Sequence, residues 1–381
     1  MELINSTFNG LATGSVLLLS ALGLTIVFGL MGVINMAHGE VMMLGAYTTF
    51  VVQNWFKSFG EPWRDGYVFV ALILAFGVTA LFGLVLERSV IRFLYGRPLE
   101  TLLATWGLSL ILQQFVRSVN WGMAIGLTVF LGLGGGGMFV LRGRVLPNWA
   151  KGVLWCLAGG IGITTSLVLE QRLGLQMTKP WFGAQNVDVT APQWLRSGLR
   201  LGDDLQLPYT RIFIIVLTVL CLVAIGLFLQ RSPWGMRIRA VTQNRSMSAC
   251  LGIDTDQVDA LTFALGSGLG GIAGCAVSFL GSVGPNTGQN YIVDAFMVVV
   301  VGGVGNLWGS VVAALGIGTI NYLLGSGTIA TLVQPIPGLA DFFSFFASTS
   351  MAKVMLFALI VAFLQYRPAG LFPPKGRTVE F

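Results

Sequence analysis

Eleven apolar runs, most of them near the length a helix needs to cross a hydrocarbon core, partition this 381-residue chain. They lie near 9–32, 38–56, 67–86, 101–119, 123–141, 152–169, 211–229, 258–281, 291–304, 306–324 and 352–366. In lipid every backbone N–H and C=O must be satisfied within the protein, which leaves helices and closed barrels as spanning structures. Runs this long specify helices. Several are short or glycine-interrupted, so the expected fold is an all-α, polytopic integral membrane helical bundle of about 9–11 transmembrane spans, some broken or re-entrant. With only 10% charged residues, against about 25% in a soluble domain, the chain lacks the polar surface to face water.

The basic residues set its orientation. Arg88, Arg92 and Arg97 lie in loop 87–100, Arg142, Arg144 and Lys151 in 142–151, four arginines in 230–257, and Arg367, Lys375 and Arg377 in the tail. Counted through the spans, all four segments fall on one side, which the positive-inside rule makes cytoplasmic. The net charge of +6 therefore reports topology and not a nucleic-acid patch. The N-terminus is expected outside. It carries no basic region ahead of its apolar run, so no cleaved signal peptide is expected.

Residues 230–257 are the one long polar stretch with repeated arginines: Arg231, Arg237, Arg239 and Arg245. Read as one helix, the stretch puts Ala240, Asn244, Ser248 and Leu251 on one face, and Gly252 ends it. A small-residue helix offered to the cytoplasm by a chain with no nucleotide-binding loop suggests a docking partner. The alternative is an ordinary inside loop.

Much enzymatic chemistry is excluded. There is no phosphate-binding G-x-x-x-x-G-K-[ST], no H-E-x-x-H, no spaced Cys/His ligand set and no nucleophile triad. His38 is the single histidine. Cys156, Cys221 and Cys275 sit in apolar runs and Cys250 in the cytoplasmic stretch, a pattern of small buried hydrophobes and not of disulfides. Gly266, Gly270 and Gly274 recur every four residues, the spacing that lets one membrane helix press against another.

Two polar interruptions stand out. Val33–Glu40 (VINMAHGE) sets Asn35, His38 and Glu40 between two apolar runs with almost no linker. It reads either as a tight turn capped by Asn35 or as a broken helix at membrane depth lining a path. Tyr291–Ser310 is broken by Gly302, Gly303 and Gly305 and bracketed by Asp294 and Asn306. It reads as a substrate-site break of the kind transporters use or as a plain turn. Gln113 and Gln114 add amides that would hold a small neutral solute or bond two helices together.

These segments resemble those of a known family, the permease subunits of branched-chain amino acid and urea ABC importers, and the urea branch most. The likeness is carried by Asn9–Glu40, Leu103–Gln114, Phe182–Val189 (FGAQNVDV), Arg239–Gly274, Gly284–Gly309 and Arg367–Arg377 (RPAGLFPPKGR). The resemblance implies one permease domain over 1–381 in a bacterial inner membrane, with 182–210 an extracytoplasmic loop and 231–257 a cytoplasmic coupling segment. It implies a second homologous permease, two cytoplasmic ATPases and a periplasmic binding protein as partners. ATP and magnesium would be bound by the ATPases, and this chain would hold no cofactor and break no bonds. Arg239, Ala240, Asn244, Arg245, Ser248, Ala249, Leu251 and Gly252 would form the helix that receives the ATPase stroke. Asn35, His38, Glu40, Asp294, Gly302, Gly303 and Asn306 would serve gate and pathway. A passive channel or stand-alone carrier is the rival expectation, with a membrane scaffold third. One departure is plain: the family pattern runs from Val119 almost directly into Phe182, whereas here residues 120–181 intervene. They are expected to form an inserted two-helix hairpin over 122–180. An even number of extra spans leaves the downstream orientation unchanged.

Overall fold

The computed structural model describes residues 2–60, 63–140, 157–166, 168, 179–200, 206–335 and 337–372. The basic residues of 142–151, Cys156, Glu170, Lys375 and Arg377 lie outside these. In chain order the helices are α1 (Glu2–Met31), α2 (His38–Phe56), α3 (Tyr67–Ser89), α4 (Pro98–Ser118), α5 (Trp121–Val140) and α6 (157–166). After the turn α7 (Gln193–Arg196) and the antiparallel ribbon β1 (Gly198–Arg200) and β2 (Gln206–Pro208) come α8 (Tyr209–Arg231), α9 (Pro233–Gln243) and α10 (Arg245–Cys250). The remainder are α11 (Thr255–Ser278), α12 (Thr287–Gly302), α13 (Leu307–Gly325), α14 (Thr328–Leu332), α15 (Pro337–Phe345) and α16 (Thr349–Tyr366).

Two compact units divide the chain, Met1–Ser109 with Val187–Phe381, and Leu110–Asn186. Among the described residues six helices are long and apolar enough to span a membrane: α1 from Leu3, α3, α4, α8, α11 and α13. The pair α15 and α16, bent by 105°, makes a seventh. The expected spans 123–141 and 152–169 fall partly outside the described residues. The other two expected spans, 38–56 and 291–304, correspond to α2 and α12, which are not among those six; α2 begins level with the middle of α1, and α12 begins against it.

In the first unit α1 and α11 are the most buried spans and pack against one another. α11 also packs on α3 and α2, and α1 on α13 and α12. These partners correspond one for one, so α1–α2–α3 and α11–α12–α13 form a repeat. The charge pattern sends α1 inward and α11 outward, which makes the repeat inverted. Close backbone approach holds it together, as expected where lipid removes the hydrophobic drive between helices. A Cβ on Gly14 would lie 2.9 Å from the Ala314 carbonyl oxygen, and one on Gly266 would lie 2.5 Å from Val27 Cγ2. Gly270 faces the His38 ring, and Gly274 packs on the backbone of Met42 and Ala46. Thr25 and Ser310 share a buried hydrogen bond of 3.0 Å between α1 and α13.

In the second unit α5 and α6 meet at glycines, where a Cβ on Gly126 or Gly162 would lie 2.7 Å from the other's carbonyl oxygen. Asn120 Oδ1 accepts from Met123 N at 2.7 Å and starts α5. Trp181 N donates to the Val119 carbonyl at 2.9 Å, and the Trp121 and Trp181 rings stand edge to face at 4.9 Å. These contacts close the base of the additional segment, so 120–181 leaves and rejoins the chain at one point.

Candidate functional site

The polar segment after α1 runs back along it. His38 Nε2–H donates to the Ser20 carbonyl at 3.1 Å, and Ser20 precedes the end of α1 at Met31 by about 16 Å of helix. Residues 32–37 are non-helical: Gly32 reverses the chain at φ +68°, and a turn closed by His38 N donating to Asn35 O at 3.3 Å leads into α2 alongside α1. Both readings of this segment find a counterpart in the geometry. Asn35 Oδ1 accepts from Ala37 N at 3.0 Å and shapes the turn into α2. The turn itself sits at mid-depth, buried in protein, where irregular backbone is tolerated.

Asn35, His38 and Glu40 are each at most 1% exposed. Met36 N donates to Thr105 Oγ1 at 3.1 Å, and Ser109 Oγ donates to Glu40 Oε1 at 3.0 Å, so α4 supports the return. Among the described residues Asn35 Nδ2 and His38 Nδ1 are buried with no hydrogen-bond partner. The inverted partner of this segment is 279–286, which follows α11 and leads into α12. Val187 and Val283 pin it with reciprocal backbone bonds of 2.7 and 2.8 Å.

The N-termini of α2 and α12 meet. Gly39 packs on the Gly288 carbonyl, and a Cβ on Gly288 would lie 2.5 Å from the Gly39 carbonyl carbon. Each helix N-terminus carries unsatisfied N–H groups and roughly half a positive charge. Glu40, in the first turn of α2, sets a carboxyl against this partial charge, and the two glycines bring the helix ends into backbone contact.

The structure separates the other expected pathway residues. Asp294 lies on α12 and pairs with Lys353 on α16 at 2.9 Å. Gly302 ends α12 some eight residues, about 12 Å, further on. Gly303 adopts φ +101°, open only to glycine, and packs on Phe372. Leu371 N donates to Val301 O at 2.8 Å, so the tail covers this break. Asn306 is the N-cap of α13, its Oδ1 accepting from Gly309 N at 3.2 Å. Gln113 and Gln114 belong to the second unit, Gln113 buried and Gln114 exposed.

The expected single helix over 239–252 is two. Asn244 is extended (φ −153°, ψ 99°) and N-caps α10, its Oδ1 accepting from Met247 N at 3.0 Å. This break removes the one-face arrangement of Ala240, Asn244, Ser248 and Leu251: Ser248 is buried, Ala240 half-buried, and Asn244 and Leu251 are exposed. Arg239 and Ala249 are exposed, and Gly252 closes α10 at φ +82°. Met236, Met247 and Leu251 are 64%, 58% and 76% exposed, apolar tips on an otherwise polar segment.

Sequence reasoning missed what holds this segment. Arg245 Nη1 lies 2.6 Å from Asp259 Oδ2 on α11, and its guanidinium stacks over Tyr95 at 5.1 Å. Tyr95 OH donates to Glu87 Oε1 at 3.0 Å, and Arg92 pairs with Asp256 at 2.7 Å. Burial pushes the Tyr95 phenol well above its usual range, so it stays a donor. No sequence motif marks the cluster, because its members come from α3, the turn after it, α10 and α11.

A helical repeat whose broken elements meet end to end, buried polar groups beside them, and six helices long and apolar enough to span a membrane among the described residues are the build of a multi-pass membrane permease. The family model described as "Branched-chain amino acid transport system / permease component" matches residues 6–364, and the chain belongs to this family. It is 26% identical over 372 residues to the high-affinity branched-chain amino acid transport system permease protein LivH of Escherichia coli K12, covering 97% of this chain and 94% of that one. It is likewise 26% identical over 368 residues to permease protein BraD of Pseudomonas aeruginosa, at 95% and 93% coverage. A shorter likeness, 32% over 125 residues, joins it to the ribose import permease RbsC of Bacillus subtilis, over 30% of this chain and 39% of that one. No solved structure matches.

Proposed function

We propose that this chain is the inner-membrane permease subunit of an ATP-driven importer and that it passes urea, or a related small amide or amino acid, from periplasm to cytoplasm. Partner ATPases supply the energy, a second permease completes the pathway, and a periplasmic binding protein delivers the solute. The observation that carries this reading is the cytoplasmic segment α9–α10. Met236, Met247 and Leu251 stand out from an arginine-rich surface with no lipid to cover them, as residues that dock a protein do. The inverted repeat supports alternating access, which needs an element with two arrangements that the ATPases grip differently.

Urea as the solute rests on the likeness to the urea branch of all six segments, from Asn9–Glu40 to Arg367–Arg377, taken together. A branched-chain amino acid is the second reading, favoured by the printed names of the LivH and BraD relatives. Inverted membrane vesicles are not needed to separate the two. Cells lacking and regaining this chain, with its partners present, are offered radiolabelled urea and leucine. Uptake of one solute that returns with the chain and stops when the ATPases' hydrolysis is blocked is expected. Uptake that continues without hydrolysis would leave a channel in place of an importer.

A further inference from the structure

An outward cavity of about 430 Å³ opens among α1, α8, α12, α13 and α16, all within the first unit. Four of its lining groups are Arg211, Asp294, Asn321 and Lys353, and Asn290, in the first turn of α12, also lines it. Charged and amide side chains inside a membrane-spanning bundle are costly, and they mark solute or ion paths unless fully paired.

The pairing here is incomplete. Asp294 Oδ2 accepts from Lys353 Nζ at 2.9 Å while the carboxylate is 6% exposed as a residue. Arg211 Nη1 is buried and, among the described residues, has no hydrogen-bond partner. Its guanidinium lies over the Tyr322 ring, 5.6 Å from Cζ to centroid, and Asn9 Nδ2 holds the Tyr322 hydroxyl at 3.1 Å. The arginine is therefore oriented by a fixed ring, with a donor left over. Two cations and one anion give the cavity a net positive charge, and the N-terminus of α12 adds to it.

Resting on the importer reading, we propose that this cavity is a solute-binding site on the outward side. It takes a small molecule with an oxygen acceptor flanked by N–H donors. Arg211 donates to the oxygen, and Asp294, assisted by the amides of Asn290 and Asn321, accepts from the nitrogen. Urea presents that pattern on one carbon, and an amino acid presents it as carboxylate and ammonium. A purely apolar or cationic solute has nothing to offer Arg211. The volume fits a solute of this size with some water.

The test uses the full chain with its partner subunits in membranes. Thr13→Cys on α1, and separately Tyr291→Cys on α12, both in the cavity lining, are labelled with a membrane-impermeant methanethiosulfonate added from outside. The wild-type chain, which keeps all four native cysteines, sets the background; among the described residues Cys221 and Cys275 are buried and Cys250 is exposed on α10, on the side the charge pattern makes cytoplasmic. Labelling from outside that millimolar urea or leucine slows at least threefold is expected at either position, and whichever solute shields identifies the source. Arg211→Gln should abolish the shielding and raise the half-saturating concentration for uptake about tenfold, the loss of one charge-assisted hydrogen bond. Neither cysteine labelled, or labelling indifferent to both solutes, overturns the site. ATP-driven uptake with no shielding and an unchanged half-saturation in Arg211→Gln would sink the site and keep the importer. Shielding without ATP-dependent uptake would keep the site and sink the importer.

Discussion

Arg245→Met tests whether the cytoplasmic segment is locked to the core or only rests on it. Arg245 is 47% exposed at its side chain, but its partner Asp259 is 5% exposed. Removing one member of a buried ion pair costs about 3–5 kcal/mol because the other charge is stranded. Water reaches nearly half of Arg245, and screening reduces this to about 2 kcal/mol. At 1.4 kcal/mol per decade the opening equilibrium of α10 shifts by roughly 30-fold. Hydrogen exchange reads that equilibrium at Ser248 N and Ile253 N, which donate to Asn244 O at 3.0 Å and Ser248 O at 3.1 Å. Peptides covering 245–253 should exchange roughly 30-fold faster in the variant. Combining Arg245→Met with Asp259→Asn removes the stranded charge and should recover most of the protection. Unchanged exchange in the single variant, or no recovery in the double, would refute the lock.

Gly288→Ala forces a Cβ to within 2.5 Å of the Gly39 carbonyl carbon. Both sides are backbone, so a lowered thermal midpoint in detergent is expected, and a wild-type midpoint would mean that the half-helices do not press together. Leu251→Asp, at a residue 76% exposed, should leave membrane insertion intact and cut co-purification of the ATPases about tenfold. Deleting 120–181 and joining Val119 to Phe182 should give an inserted, transport-competent chain, because the Trp181–Val119 bond already brings those ends together; failure to insert would count against a separable hairpin.

Run length and glycine spacing carried the helical fold and the stop at Gly252, because each depends on local composition. Depth is different. Hydropathy reports that 38–56 and 291–304 are apolar, but not that α2 begins level with the middle of α1 and α12 begins against it, because the return of 32–37 along α1 is fixed by contacts to Ser20 and Thr105 that are distant in sequence. The break at Asn244 was legible and overlooked: Asn followed by a three-residue turn is an N-cap signal, and helical-face counting ran through it. Arg211 reads in sequence as an interfacial arginine at the head of a span. Only the Tyr322 ring beneath it and Asp294 in the same cavity give it a further meaning. Asp259 and Arg245 are separated by a helix end and a turn, so their pairing has no periodic signature.

α11 joins the Arg245–Asp259 pair to the middle of the first unit. Asp256 and Asp259 hold α10 through Arg245, and Gly270, about 16 Å along the same helix from Asp259, takes the His38 ring at the start of α2. α11 has no interior break between them and is buried over most of its length. Packed interiors transmit displacement because they compress little. On the importer reading, a shift of α10 would therefore reach the meeting point of α2 and α12 as a movement of one rod. Gly270→Ala tests this link, since its Cβ would lie 2.9 Å from His38 Cε1 and displace the ring from the notch. The expected result is a variant that still binds its ATPases and still hydrolyses ATP, with uptake reduced at least about tenfold, the equivalent of 1.4 kcal/mol in coupling. Uptake at the wild-type rate would show that the stroke travels by another helix.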